Sequence, residues 1–376
     1  MFVDFFLPDQ SEVPSEFALV RVSRRAMATR FEVAIPAGSH HDPVAAAEGA
    51  LDLIDELETQ LTVYRDDSEV AQLNQAAANG FVEIEPRLFD LLSRCAGWTK
   101  ETGGAFDIAT GALTKAWGFF RREPGVPTHH ARNEAMRASG TRHVLLDPVR
   151  CAAKFRVRGL ELNLGAVGKG YALDRAAELL RVKCGVRSAL LHAGGSSAYA
   201  IGFPPGDARG WPIDIRHPKE ASGSLGTLYL RDAGLGTSAA TFQFFEYKGQ
   251  QLGHLLDPRR GWPASGIASA SVVAPTATEA DAMSTAAFVL GAAGAEALTR
   301  LRPALGALVL PDKAPPLLHG KREKEPCPLR LRSDDQGASC TFAPLPAEGG
   351  AGVAGIFAFN LAPGTYSPPD HADDLL

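Results

Sequence analysis

Residues 163–174 read Asn-Leu-Gly-Ala-Val-Gly-Lys-Gly-Tyr-Ala-Leu-Asp, and the reading of this stretch decides the reading of the chain. Leu160, Leu162 and Leu164 alternate like a short strand, glycines follow at 165, 168 and 170, and a helical pattern opens at Tyr171. Glycine lets a backbone come close to a bulky anion, and the free N–H groups of a helix start favour negative charge. Lys169 places a full positive charge inside the turn. The pattern predicts a phosphate cradle; the plainer alternative is a structural strand-to-helix turn.

Two familiar cradles are excluded. A Walker A loop needs Ser or Thr after its lysine, and here Lys169 is followed by Gly170. A dinucleotide-binding βαβ unit carries an acid about twenty residues on, at the end of its next strand. The next strand here, 188–192, runs into Ala193-Gly194-Gly195-Ser196-Ser197 without one.

The chain has 376 residues, 45% of them apolar and 22% charged, which suits a soluble protein with a sizeable core. Its net charge of −5, with no basic stripe along any helix, argues against a nucleic-acid partner. The apolar start is interrupted by Asp4 and stopped by Pro8, unlike a secretory signal. No apolar run approaches the roughly 20 residues of a membrane span. Cys95, Cys151, Cys184, Cys327 and Cys340 are scattered without zinc-site spacing. Reduced thiols and a cytoplasmic location are expected.

Apolar stripes of helical period occur at 43–64 (Ala46, Ala50, Leu51, Ile54, Leu57, Leu61), 86–101, 110–118, 171–183, 278–290 and 295–301. Ser68 is placed to cap a further helix over 68–76. Strand-like alternation covers 17–35 with a turn at Ser23-Arg24-Arg25, 143–164, most of 189–253, 269–274 and 307–310. Composition changes after Pro311. The expected organisation is a body over 16–312, in two intimately joined lobes, and an appendage over 313–376 with one strand near 355–359 and a disordered end.

Two further constellations carry chemistry. Asp281 and Thr285 lie four apart at the start of the 278–290 helix and share one face. Two hard oxygens there suit Mg²⁺, which completes its shell with water and substrate phosphates; the alternative is a first-turn acid offsetting the helix dipole. His254 precedes Asp257 by three residues ahead of a Pro/Gly turn. Histidine exchanges its proton near neutrality and is the natural group to activate a hydroxyl. His40-His41 and His129-His130 fall in polar loops and have weaker cases.

In order and spacing these segments resemble the FAD:protein FMN transferases, the ApbE-like flavin transferases, over roughly residues 20–310. Met27-Ala-Thr is similar to the family's Met-Gly-Thr, and Tyr64-Arg-Asp-Asp-Ser68-Glu with Leu73-Asn74 to its Tyr-x-x-x-Ser-Glu…Leu-Asn. Gly104-Ala105-Phe106-Asp107 with Leu113 and Trp117-Gly118-Phe119, the 163–174 cradle and Ala193-Gly194-Gly195 follow in the same order. Gly236-Thr237-Ser238, 254–261 and 281–285 complete the set.

The resemblance implies an α+β fold with mixed, largely antiparallel sheets and packed helices. It implies transfer of the FMN half of FAD to a Ser or Thr hydroxyl of a target protein, with release of AMP. By family position, Met27, Tyr64, Ala105, Phe106, Asp107, Gly165, Lys169 and Tyr171 line the FAD site, with His254 as the base that also meets the flavin. Asp281, Thr285 and the Gly168 carbonyl would hold Mg²⁺. The same site with water as acceptor would make an FAD pyrophosphatase, and a site without turnover an FAD-binding protein. The departures are Asn163 for Asp, His192 and Ser196 for Asn and Asp around Ala-Gly-Gly, Ala239 for Gly, and Arg260 for Thr.

Overall fold

Alternation at every second residue builds the centre of the molecule. The computed structural model describes residues 18–219, 223–239, 244–312, 356–362 and 364–367. Strands β1 (Leu19–Ala26) and β2 (Thr29–Pro36) form a hairpin around Met27 and Ala28, whose φ angles are 49° and 59°. Two consecutive positive φ values suit the strand twist and favour Gly or Asn. The turn expected at Ser23–Arg25 lies instead within β1, an edge strand whose polar, solvent-facing side chains resemble turn residues. Ala28 carries a Cβ in the left-handed region, so Ala28→Gly is expected to stabilise the fold by about 1 kcal/mol. A higher denaturation midpoint at an unchanged m-value checks this.

Helix α1 (Pro43–Leu61) starts at the Asp42 cap, α2 (Glu69–Ala76) at Ser68, and β3 (Val82–Glu83) leads to α3 (Pro86–Glu101), capped by Glu85. Next come α4 (Gly111–Ala116) and α5 (His129–Arg137). The stretch with His129 and His130 is thus a helix start capped by Thr128, not a loop. Strands β4 (Val144–Asp147) and β5 (Ala152–Phe155) pair with β3 in a small sheet ordered β3-β5-β4. Helix α6 (Gly168–Val182) precedes β6 (Ala189–Ala193), β7 (Ser197–Ile201), β8 (Trp211–Arg216), β9 (Ser224–Leu230) and β10 (Ala233–Ala239). The hairpins β11 (Phe244–Tyr247)–β12 (Gln250–Gly253) and β13 (Leu256–Asp257)–β14 (Trp262–Pro263) follow. Then come β15 (Ile267–Ala274), α7 (Ala277–Leu301), β16 (Gly306–Pro311), β17 (Phe357–Phe359) and β18 (Tyr366–Ser367).

The main sheet is antiparallel throughout, in the order β1-β2-β6-β7-β10-β15-β16-β17. Side chains alternate between its faces. Val33, Ile35, Leu191, Ala270 and Val272 enter the core shared with α1, α6 and α7. Ala34, Leu190, Ala198, Leu235 and Leu308 enter a second core with Trp211, Ile213 and Leu228 of the β18-β9-β8 sheet. Helices, large sheet and small sheet therefore form three layers.

Residues 313–355 lie outside the described residues, but the chain beyond them returns to the body. The strand anticipated near 355–359 is β17, paired with β16, and β18 pairs with β9. Asn360 fastens the return by donating to the Pro303 and Leu305 carbonyls, each at 2.7 Å. The expected disorder of the last residues falls outside the described region.

By length and composition α7 could cross a membrane, yet most of it is buried and it breaks at Gly291 (φ 78°, ψ −176°). Arg302 Nε reaches Glu279 at 2.7 Å, 23 residues back. A straight helix would separate them by about 35 Å, so the two halves fold back on each other. The first half, about 21 Å long, is short of a bilayer core of about 30 Å.

Candidate active site

Residues 160–164 form no strand: Asn74 brackets Leu162, accepting from its N–H at 2.8 Å and donating to its carbonyl at 3.0 Å. Asn163 N donates to the Ile108 carbonyl at 2.7 Å, tying the cradle to the Ala105–Asp107 loop. Asn163 Oδ1 accepts from Gly165 N at 2.9 Å, an Asx turn for which its amide oxygen serves as a carboxylate would. Helix α6 begins at Gly168, three residues before the expected start, so Gly168, Lys169 and Gly170 form its first turn. Glycines at a helix start read as loop from sequence because their intrinsic propensity is low.

The three glycines differ in role. A Cβ on Gly168 would meet nothing within 4 Å, whereas one on Gly170 would lie 2.2 Å from the Ala277 carbonyl oxygen. Gly170 is therefore a packing residue that brings α6 against the start of α7. Gly170→Val is expected to disrupt folding, seen as a large fall in Tm, because a backbone clash has no rotamer to relieve it. Gly168→Ala should leave Tm nearly unchanged.

Asp174, the last residue of the motif, holds the start of α7. Its carboxylate accepts from Ala277 N at 2.7 Å, Thr278 N at 2.9 Å and the Thr278 hydroxyl. Burial pushes its pKa up, against the pull of those bonds. One turn later Asp281 is buried with both oxygens engaged: Oδ1 accepts from Ser197 Oγ at 2.7 Å and Oδ2 from Gly170 N at 2.8 Å. Burial raises its pKa to about 6; the Lys169 charge and the two hydrogen bonds oppose the rise, and Asp174 adds to it. Thr285 Oγ1 donates to the Asp281 carbonyl at 3.2 Å and lies 3.3 Å from Ser238 Oγ. Bare positions let α7 lie this close: a Cβ on Gly234 would sit 2.3 Å from Ala277 N, and one on Gly236 2.4 Å from the Ala280 carbonyl carbon.

This donor set consists of hard oxygens: the Asp281 carboxylate and the hydroxyls of Ser197, Ser238 and Thr285. Among the described residues no three His, Cys, Asp or Glu side chains converge as a cage. A cation held here must draw ligands from water and substrate, which fits Mg²⁺ and neither zinc nor a soft metal.

The other candidate residues surround this centre in separate groups. Met27 is on the β1–β2 turn, which abuts the Gly194 turn through the Gly194 N–H to Arg30 carbonyl bond of 2.9 Å. Tyr171 is buried in α6; its pKa is raised by burial, against the Arg175 guanidinium that donates to its hydroxyl at 3.2 Å. The Ala105 and Phe106 side chains are fully in the core. The Asp107 carboxylate binds Ala109 N at 2.8 Å and Thr141 N at 2.9 Å, which fixes the loop. Tyr64, 68% exposed, stacks on Phe120 at 4.8 Å. Phe120 lines a cleft of about 520 Å³ with Lys115, Trp117 and Arg121.

His254 is half-buried between β12 and β13. Asp257 does not serve it: this carboxylate is taken by Arg259, at 2.8 Å to Nε and 2.9 Å to the backbone N. The Trp117 indole donates to the Gly261 carbonyl at 3.1 Å, which anchors the histidine's hairpin to α4. Arg260, the departure from Thr, is 82% exposed, with its Nε 3.8 Å from Asp257 Oδ2. Sequence reading gave Ser197 no role and named Ser238 only within the Gly236-Thr237-Ser238 motif, since hydroxyls on buried strands read as ordinary strand residues.

A profile of the ApbE family matches residues 27–309. The FAD:protein FMN transferase of Treponema pallidum is 36% identical over 74% of this chain and 80% of its own length. One from Klebsiella pneumoniae is 30% identical over 71% of this chain and 82% of its own. Among solved structures, the ApbE protein of Thermotoga maritima superposes with a TM-score of 0.71 at 27% identity, covering 78% of this chain and 95% of that one. The apo flavinyl transferase ApbE of Pseudomonas stutzeri gives 0.70 at 26%, covering 79% and 92%. The chain therefore belongs to the ApbE family, and its α+β architecture is that family's.

Proposed function

We propose that this protein is a FAD:protein FMN transferase that attaches FMN to a Ser or Thr hydroxyl of an acceptor protein and releases AMP. The observation that carries the reading is the buried Asp281 carboxylate held against the first turn of α6, beside Lys169. A cation held at Asp281 would lie next to an anion held at Lys169, as cleavage of a pyrophosphate requires.

The Lys169 ammonium receives the FAD pyrophosphate, which approaches over Gly168, where a Cβ would meet nothing within 4 Å. Asp281, Thr285 and the Gly168 carbonyl would hold Mg²⁺, which neutralises charge on the phosphates when bound. His254 accepts the proton of the acceptor hydroxyl as its oxygen bonds to the FMN phosphorus. The P–O bond to AMP breaks, and AMP departs with the bonding electrons. Met27, Tyr64 and Tyr171 flank the flavin and adenine ends.

Lys169 tests the cradle directly. A charged hydrogen bond contributes about 1.5–3 kcal/mol, so Lys169→Ala should weaken FAD binding on the order of 10–100-fold. Flavin fluorescence titration reads this, and unchanged affinity would remove the cradle from the account.

A further inference from the structure

We propose that Ser197 is a positioning residue for the cation site: its hydroxyl fixes the Asp281 carboxylate in the orientation that receives a divalent metal. The inference rests on the phosphoryl-transfer reading above.

A carboxylate on a helix can rotate about its last torsion unless both oxygens are held. Here α6 holds one through Gly170 N at 2.8 Å, and β7 holds the other through Ser197 Oγ at 2.7 Å. Each oxygen keeps a further lone-pair direction for a metal. Ser197 stands on the rigid centre of the main sheet, opposite Ala193 on β6 and Gly236 on β10, with its side chain buried. Gly236 beside it has no side chain, and its Cβ would lie 2.5 Å from Asp281 N. The helix is therefore pressed onto the sheet where Ser197 can reach the carboxylate.

Ser196 Oγ lies 3.4 Å from Ser197 Oγ and can supply a donor to it, leaving the Ser197 proton for Asp281. The Gly170 donor is backbone and no side-chain truncation removes it; the Ser197 donor is a side chain and can be deleted alone. Groups that orient metal ligands from behind typically change metal affinity about 10–100-fold when removed.

The experiment is a Mn²⁺ titration followed by electron paramagnetic resonance, without FAD, on the full chain. Wild type, Ser197→Ala, Ser197→Thr and Asp281→Ala are compared, with Tm recorded in EDTA. Ser197→Ala should bind Mn²⁺ about 10–100-fold more weakly at a nearly unchanged metal-free Tm, and Ser197→Thr should recover most of the loss because it keeps the hydroxyl. Wild-type affinity in Ser197→Ala, alongside lost binding in Asp281→Ala, overturns the role of Ser197 and leaves Asp281 as a ligand. Wild-type affinity in Asp281→Ala overturns both this inference and the metal reading beneath it.

Discussion

Asp281→Ala is expected to abolish AMP release from FAD, because it removes the one carboxylate of the oxygen cluster between α6, β7 and α7. The fold should survive, since the start of α7 is capped by Thr276 and held by Asp174, not by Asp281. The sign of the stability change separates a site residue from a structural one. Burial raises the Asp281 pKa from 3.8 to about 6. A raised folded-state pKa contributes stability that is fully present below the unfolded value and lost as pH rises through the folded value. Near neutral pH and without metal, the ionised carboxylate therefore opposes folding, by roughly 3 kcal/mol at 1.36 kcal/mol per unit. Asp281→Asn should accordingly be more stable than wild type at pH 7.5 in EDTA, with the difference shrinking towards pH 4. Added Mg²⁺ should stabilise wild type and not the variant, as a ligand bound to the folded state alone must. A metal-free variant less stable than wild type at pH 7.5 would show that Asp281 serves the fold.

His254→Ala is the second large effect. Loss of a general base typically costs about 10²–10⁴ in rate, and AMP release should fall by that order while FAD affinity changes little. The hairpin should keep its shape, because it is held by the Asp257–Arg259 pair and the Trp117–Gly261 bond, neither of which uses His254. If affinity fell in proportion to rate, His254 would be a flavin contact and not a base.

The strongly periodic elements were legible in the sequence. Both halves of α7 show as separate apolar stripes, and the break between them follows from Gly291. Capping at Ser68 was also readable, because a hydroxyl before a periodic run has one favoured use. The start of α6 was not, since Gly168 and Gly170 are poor helix formers and it is the packing of Gly170 against α7, a tertiary contact, that holds the turn. The turn at Met27-Ala28 was hidden because alanine does not announce a positive φ. Asp281 and Thr285 were readable as a pair because four residues make one turn. Their partners Ser197 and Ser238 come from strands 84 and 47 residues away, a proximity that only the sheet order creates.

Flavin transfer means that FMN passes from FAD to a protein hydroxyl. The most direct measurement incubates the full chain with FAD, Mg²⁺ and a lysate as acceptor source, and follows AMP in solution and acid-stable flavin fluorescence on protein together. With transfer, both rise in equal amounts and mapped flavin peptides carry FMN on Ser or Thr. AMP accompanied by free FMN, with no flavin on protein, would contradict transfer and make the protein a pyrophosphatase; no AMP at all would make it an FAD-binding protein.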